Sequence, residues 1–342
     1  MRTKNDDAFV YLQEGKNITV TLRKRAENKY FSQKLMVQLA ALQSPLEKQY
    51  WKSYHCSQDI VVNGHRAKSH YCTKRWCVIC NRIRTAQLHT IYKDAMTAMV
   101  EPMFVTLTVK NCEEYRLKPT MEKMYKDFVK IKDLARKNSH DFNGLRKLEI
   151  TYNRRTDEYH PHFHLLLGKR TSAEFLLDGW LEKNPTADIA GQQVEDADQN
   201  TLFELFKYFA KLTGNSKKDN FVSIKPLDII CQSTVGVRVF QTFGNFKGIE
   251  PTFEQPAKNL EAEAHADIYK WDKVAGDWLN EEDGDYLTGY VPTEKQKDFK
   301  NVPKKTAEEK QAEKMVFAKK QEKNHLLRQK MVYDHNQRKT NK

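Results

Sequence analysis

The chain has 342 residues and carries 58 Lys+Arg against 45 Asp+Glu, a formal net charge of +13. That length suits roughly two domains, and the mean hydropathy of −0.78, with no run of about 18 uncharged apolar residues, excludes a transmembrane helix from the expectations. A pI near 9.2 points to an anionic partner, nucleic acid before a membrane surface, or else to a protein that is merely Lys-rich.

In chain order the composition suggests five blocks. Residues 1–50 read as a helical, basic segment, with the apolar run Leu-Met-Val-Gln-Leu-Ala-Ala-Leu at 35–42. The polar start Met1-Arg2-Thr3-Lys4 leads into no apolar h-region, so no Sec-type signal peptide is expected and the location expected is cytoplasmic. Residues 51–100 are Cys-rich, 101–255 alternate strand-like and helix-like stretches, 256–293 are acidic, and 294–342 form a basic tail, either a solvated helix or a disordered arm. Charge is uneven: residues 294–342 carry net +8 and 261–293 net −7, which leaves +12 on residues 1–260. The tail either aids solubility or touches DNA non-specifically.

Four of six cysteines lie between 56 and 80: Cys56, Cys72, Cys77 and Cys80. The short turn of Cys77-x-x-Cys80 brings two thiolates within about 4 Å, as one metal ion needs. Cys72 and Cys56 complete a tetrahedral set, with His70 and His55 as substitutes, and structural zinc is the expectation. Buried free thiols and a redox pair are the alternatives. The basic and aromatic surroundings, Arg75, Trp76, Arg82 and Arg84, either touch phosphates or are ordinary surface. Cys112 and Cys231 stand alone and read as small buried hydrophobes.

The segment Glu158-Tyr159-His160-Pro161-His162-Phe163-His164-Leu165-Leu166-Leu167 sets three histidines at alternate positions. Strand side chains repeat every two residues, so the three share a face. Histidines at i and i+2 make a good metal pair. The strand-like Leu148-Glu149-Ile150-Thr151-Tyr152 precedes them across a polar turn. With Arg155-Thr156 at the turn, Glu149 falls opposite His162 on the same face, at a cross-strand distance of about 5 Å. A Glu149–His162–His164 site with open positions suits Mg²⁺ or Mn²⁺. A register slip of one would turn Glu149 away and make His160 the third ligand.

Residues 201–213, ahead of the C-capping Gly214, read as an amphipathic helix. Leu202, Leu205, Phe206, Phe209 and Leu212 fall on an arc about 120° wide. Glu204, Tyr208 and Lys211 share the opposite face, as polar residues of any surface helix do. Joined to the histidine strand, the trio suggests chemistry. A tyrosyl oxygen can attack a DNA phosphodiester, provided a metal polarises the phosphate. Lys211 would stabilise charge, and Glu204 would activate water for a second cleavage.

Taken together, these motifs resemble a known superfamily. His160-Pro161-His162-Phe163-His164-Leu165-Leu166 resembles the HUH motif, Lys207-Tyr208-Phe209-Ala210-Lys211 its Tyr-x-x-Lys motif, and Phe104-Val105-Thr106-Leu107-Thr108-Val109 its first strand motif. Glu149-Ile150-Thr151-Tyr152 and the spacing Cys72-x₄-Cys77-x₂-Cys80 resemble the single-tyrosine replication initiators (Rep) of small rolling-circle plasmids of bacteria, over roughly residues 50–250. The resemblance implies an α+β fold: a ferredoxin-like HUH nuclease domain with a central antiparallel sheet. It implies a metal-dependent, site-specific single-strand endonuclease and strand transferase that nicks the double-strand origin. The enzyme would stay linked through a tyrosine to the 5′-phosphate and leave a 3′-OH primer. His162 and His164 carry over as metal ligands, Tyr208 as nucleophile, Lys211 as its partner and Glu204 as the water-activating base. Origin DNA, a host helicase and a host DNA polymerase are the implied partners, and no membrane. A mobilisation relaxase or transposase is the nearest alternative. A zinc-stabilised DNA-binding replication regulator without catalysis is the alternative from another class.

Overall fold

The computed structural model describes residues 10–11, 18–63, 66–198, 201, 205–206, 223–247, 266–297 and 315. Its elements, in chain order, are β1 (Val10–Tyr11), α1 (Ile18–Ala40), α2 (Glu47–Tyr54), β2 (Asp59–Asn63), β3 (Arg66–Ser69) and α3 (Val78–Thr97). There follow β4 (Met103–Thr108), α4 (Glu114–Lys137), β5 (Gly144–Asn153), β6 (Glu158–Leu167), α5 (Arg170–Lys183) and β7 (Gln193–Asp196). The last are α6 (Ile224–Ser233), β8 (Phe240–Phe243), β9 (Asp267–Asp272), β10 (Asp277–Asn280) and α7 (Glu294–Lys297). This is an α+β protein with two antiparallel sheets, ordered β1-β3-β2-β9-β10 and β7-β4-β6-β5-β8. No described helix is long and apolar enough to cross a membrane.

The described residues fall into two compact units. One is drawn from Met1–Leu88, Lys207–Gln232 and Pro251–Asn301, the other from His89–Phe206, Ser233–Glu250 and Val302–Lys342. In the first, Leu35, Met36 and Leu39 of α1 pack with Tyr50 of α2, Trp76, and Ile224 and Leu227 of α6. One turn or more earlier on α1, Leu22 and Ala26 cover Ile60 and Ala67 of the sheet with Trp271 and Trp278. Both tryptophans belong to the acidic stretch, whose hairpin β9–β10 pairs along β2. Their indole N–H groups donate to Gln33 Oε1 (2.6 Å) and to the Ser57 carbonyl (3.1 Å). Part of that stretch's negative charge is structural. Asp272 accepts from the turn amides of Val274 and Ala275, and the buried Asp277 accepts from the amides of Thr288 and Tyr290. Such bonds satisfy backbone donors that two tight turns would otherwise leave unpaired.

In the second unit β6 is the middle strand of five. Its alternation splits the sheet into two chemically different faces. Phe163, flanked by the histidines, is fully buried against Phe128 of α4 and Trp180 of α5, with ring centroids at 5.9 and 5.8 Å. The stripe that α4 lays there, Leu117, Met121, Met124, Phe128, Ile131 and Ala135, advances by alternating steps of four and three residues, the period of a helix face. Beside Phe163 the guanidinium of Arg146 is packed between aromatic rings, 4.4 Å from that of Tyr125 and 4.5 Å from that of Phe128. Gly144 opens β5 where any Cβ would collide with the Leu166 carbonyl at 1.8 Å. That close approach lets β5 and β6 pair along ten consecutive positions.

Candidate functional site

The face of β6 opposite Phe163 carries His160, His162 and His164. The β5–β6 ladder pairs Glu149 with His162, Lys147 with His164 and Thr151 with His160. This is the register in which Glu149 shares the histidine face, although the connection is a four-residue turn, 154–157, closed by Asp157 in the left-handed region. On the other side β4 pairs Thr106 with His164 and Thr108 with His162. Ligand atoms of Glu149, His162 and His164 lie within 4.8 Å of one another, and all three residues are buried. His160 is not part of that group. Its Nδ1 is engaged by Asn111 Oδ1 at 2.7 Å, and its ring stacks on that of His162.

The hydrogen bonds around the trio orient the imidazoles. His162 Nδ1 lies 3.0 Å from the His160 carbonyl oxygen, which can only accept, so Nδ1 carries the proton and Nε2 exposes its lone pair. Thr106 Oγ1 holds His164 Nδ1 at 3.1 Å, while His164 Nε2 stands 3.4 Å from Glu149 Oε2 and makes no hydrogen bond. Metal-binding histidines are commonly held in this way by their second nitrogen. Burial, reinforced by His164, pulls His162 down to about 3, so the imidazole stays neutral, as a ligand must. Lys147, also buried, sets its Nζ 3.4 Å from Glu149 Oε2. A buried carboxylate set beside two imidazoles, with donor atoms converging, fits a divalent cation. Thr106, Asn111 and Lys147 were not singled out from sequence as site residues. Lys147 had a signal: a lysine two positions from Glu149 falls on the same strand face.

The first unit holds a second cluster. Cys56 precedes β2 and Cys72 follows β3, so the β2–β3 hairpin brings them together; Cys77 and Cys80 sit at the start of α3. The four sulfurs lie within 4.8 Å of one another. Cys80 Sγ is 3.5 Å from Cys56 Sγ and 3.7 Å from Cys72 Sγ. A tetrahedron with metal–sulfur arms of about 2.3 Å has edges of about 3.8 Å, whereas a disulfide needs about 2.05 Å. All four cysteines are free. Without a cation only part of the cluster can ionise. Bonds from the other three thiols hold Cys72 far below the ordinary thiol range, while Cys56 is raised by its bond to Cys72 and Cys77 is raised by burial. His55 and His70 are exposed and stand outside the sulfur group. Beneath it, fully buried Lys29 donates to the carbonyls of Cys56 (2.8 Å) and Tyr54 (3.3 Å). Cys112 and Cys231 are buried, as their isolation suggested.

Glu204, Tyr208 and Lys211 lie outside the described residues. Of the same stretch, Leu205 and Phe206 are helical and buried, the core face anticipated for them, and Phe206 packs on Tyr92 and Phe240 at 5.7 and 5.6 Å. Phe240 is the β8 partner of Lys147.

Fold and sites thus define a class: an α+β protein that joins a strand-borne Glu–His–His cluster to a four-cysteine cluster. A family described as replication protein matches residues 64–173, which include Cys72, Cys77, Cys80, Glu149, His162 and His164. A Protein rep of Staphylococcus aureus is 30% identical over 163 residues, 42% of this chain and 71% of the relative. A Protein rep of a Bacillus species is 33% identical over 112 residues, covering 30% of this chain and 35% of the relative. Another from Bacillus amyloliquefaciens is 33% identical over 105 residues, covering 29% and 31%. No solved structure matches. The chain belongs to this replication protein family, the rolling-circle plasmid replication initiators that its motifs resemble.

Proposed function

We propose that this initiator nicks one DNA strand at its plasmid's double-strand origin through a tyrosyl–phosphodiester intermediate. The observation that carries the reading is the convergence of Glu149, His162 and His164 on one sheet face, with the second nitrogens of both histidines held by hydrogen bonds. Those three residues would hold Mg²⁺ or Mn²⁺, which a mixed carboxylate–imidazole set with open positions suits. The cation supplies Lewis-acid polarisation of the scissile phosphate when bound. The Tyr208 oxygen attacks phosphorus, and the bond from phosphorus to the 3′-oxygen breaks. The 5′-phosphate stays on tyrosine, and the 3′-oxygen leaves protonated as the primer 3′-OH. Lys211 balances charge on the phosphate, and Glu204 takes a proton from water in the terminating hydrolysis. Cys56, Cys72, Cys77 and Cys80 would hold a structural Zn²⁺. Origin DNA is the partner, and a host helicase and DNA polymerase would extend the primer.

The test is adduct trapping. Wild-type protein with Mn²⁺ and an origin oligonucleotide should give a protein–DNA band that survives denaturation, and Tyr208→Phe should give none. An undiminished adduct with Tyr208→Phe sinks the tyrosine assignment. Origin binding without an adduct from the wild type favours the non-catalytic regulator.

A further inference from the structure

α2 and its C-cap residue His55 set Lys48, Trp51, Lys52 and His55 at spacings of three, four and seven residues from Lys48, so the four share one helix face. The opposite face is anchored by the buried Tyr50 and Ser53. All four line a concave space of about 420 Å³ together with His70 and Tyr71, and Cys56 and Cys72 of the sulfur cluster form part of its wall. That volume falls within the range of ligand pockets, about 300–1,000 Å³. No acidic side chain lines it; Glu47, the acidic residue of α2, is not among the lining residues. Trp51 is 40% exposed, whereas Trp76, Trp180, Trp271 and Trp278 are all at or below 8%. Trp51 is thus the one tryptophan that offers part of its ring to solvent, on a helix that buries Tyr50 and half-buries Tyr54. Its ring is steadied by Tyr54 in an edge-on contact at 5.5 Å.

We infer that this groove binds an unpaired nucleotide of single-stranded DNA, with the base stacked on Trp51 and the flanking phosphates held by Lys48 and Lys52. Interleaved aromatic and cationic side chains are the chemistry of sequence-tolerant single-strand binding. A stacked duplex presents no base face to a concave pocket and would meet only the lysines. The residues that line it include none of those assigned to the Glu149–His162–His164 group or to the proposed chemistry. The inference rests on the DNA-processing reading above, because a nicking enzyme must hold the strand it has melted.

Anisotropy of a fluorescein-labelled dT₂₅ strand, titrated with full-length protein at fixed salt, measures it. Trp51→Ala should weaken single-strand binding about 5–150-fold, the equivalent of ~1–3 kcal/mol for one stacked base. Trp51→Phe should retain most of the affinity. The double variant K48Q/K52Q, on exposed positions, should weaken binding and lower the salt slope by about 1.4, two phosphate contacts at ~0.7 each. A 25-bp duplex should feel the lysine changes but not Trp51→Ala. Equal binding of the single strand by wild type and Trp51→Ala overturns the groove, as does an equal loss on strand and duplex. Zinc content and thermal midpoint matched to wild type show that the variants are folded. If the wild type forms the Tyr208 adduct and Trp51→Ala binds dT₂₅ as tightly, only the groove falls. If the wild type neither binds a single strand nor forms an adduct, the DNA-processing reading falls with it.

Discussion

Lys29 lies beneath the sulfur cluster at 0% exposure, and replacing it with Met isolates what a buried ammonium does there. Met keeps the length of the stem and removes the charge and both hydrogen bonds of the ammonium. Gln33 Nε2 still reaches the Tyr54 carbonyl at 3.4 Å, but the Cys56 carbonyl loses the lysine's donation. A buried acceptor left without a partner costs about 1–3 kcal/mol. Burial has already drawn Lys29 down to about 8, against an upward pull from Cys56, Cys77, Asp59 and Cys72. Removing so poorly solvated a cation therefore offsets part of that loss in the metal-free protein. In the metal-loaded protein four thiolates around a dication leave a net negative charge, and Lys29 is a buried cation beside it. Loss of a group supporting metal ligands typically weakens binding about 10–100-fold. We expect Lys29→Met to lower zinc affinity by that factor in competition with a chromophoric chelator. The melting temperature of the zinc-loaded form should fall more than that of the stripped form. Zinc affinity within about twofold of wild type would refute the electrostatic role of Lys29.

Four further outcomes follow from the second unit. Glu149→Gln keeps the side-chain volume but removes the anion beside His164 and Lys147, so Mn²⁺ binding should weaken at least about tenfold. His160→Gln should leave Mn²⁺ binding near wild type; calorimetry of Mn²⁺ binding decides between the two as third ligand. His162 also imposes a pH dependence on the metal-free fold. The unfolded imidazole takes its proton near pH 6.5, the folded one only near 3. The unfolded state thus binds more protons in that window, and stability falls as the pH drops through it. Urea unfolding at a series of pH values should show a shallower fall for His162→Gln, and identical curves would count against a buried neutral His162. Finally, Phe163→Ala should destabilise the protein by about 3–5 kcal/mol, because the ring is fully buried between Phe128 and Trp180. A loss below about 1 kcal/mol in chemical denaturation would mean that the histidine strand is not anchored through its opposite face.

Local sequence was sufficient wherever one strand or one turn decides the geometry. The alternation His160-Pro161-His162-Phe163-His164 sets histidines on one face and an apolar anchor on the other, because a strand has no other period. The register that brings Glu149 to His162 was one of two that the sequence left open, the other being a slip of one residue, and the folded ladder chose between them. The Cys77-x-x-Cys80 spacing likewise announces its own proximity.

Tertiary structure alone decided the rest. Cys56 reaches Cys72, sixteen residues away, through the β2–β3 hairpin, and Lys29 reaches the carbonyl of Cys56 from α1. Charge counting set the acidic stretch apart, whereas folding pairs its β9–β10 hairpin along β2 and uses Asp272 and Asp277 to satisfy turn amides. Thr106 holds His164 from a strand 58 residues distant. The physical reason is the same in each case. Secondary-structure period and turn geometry act over a few residues and are written in local spacing. Which buried donor meets which acceptor depends on how distant segments share a core, and no local pattern carries that information.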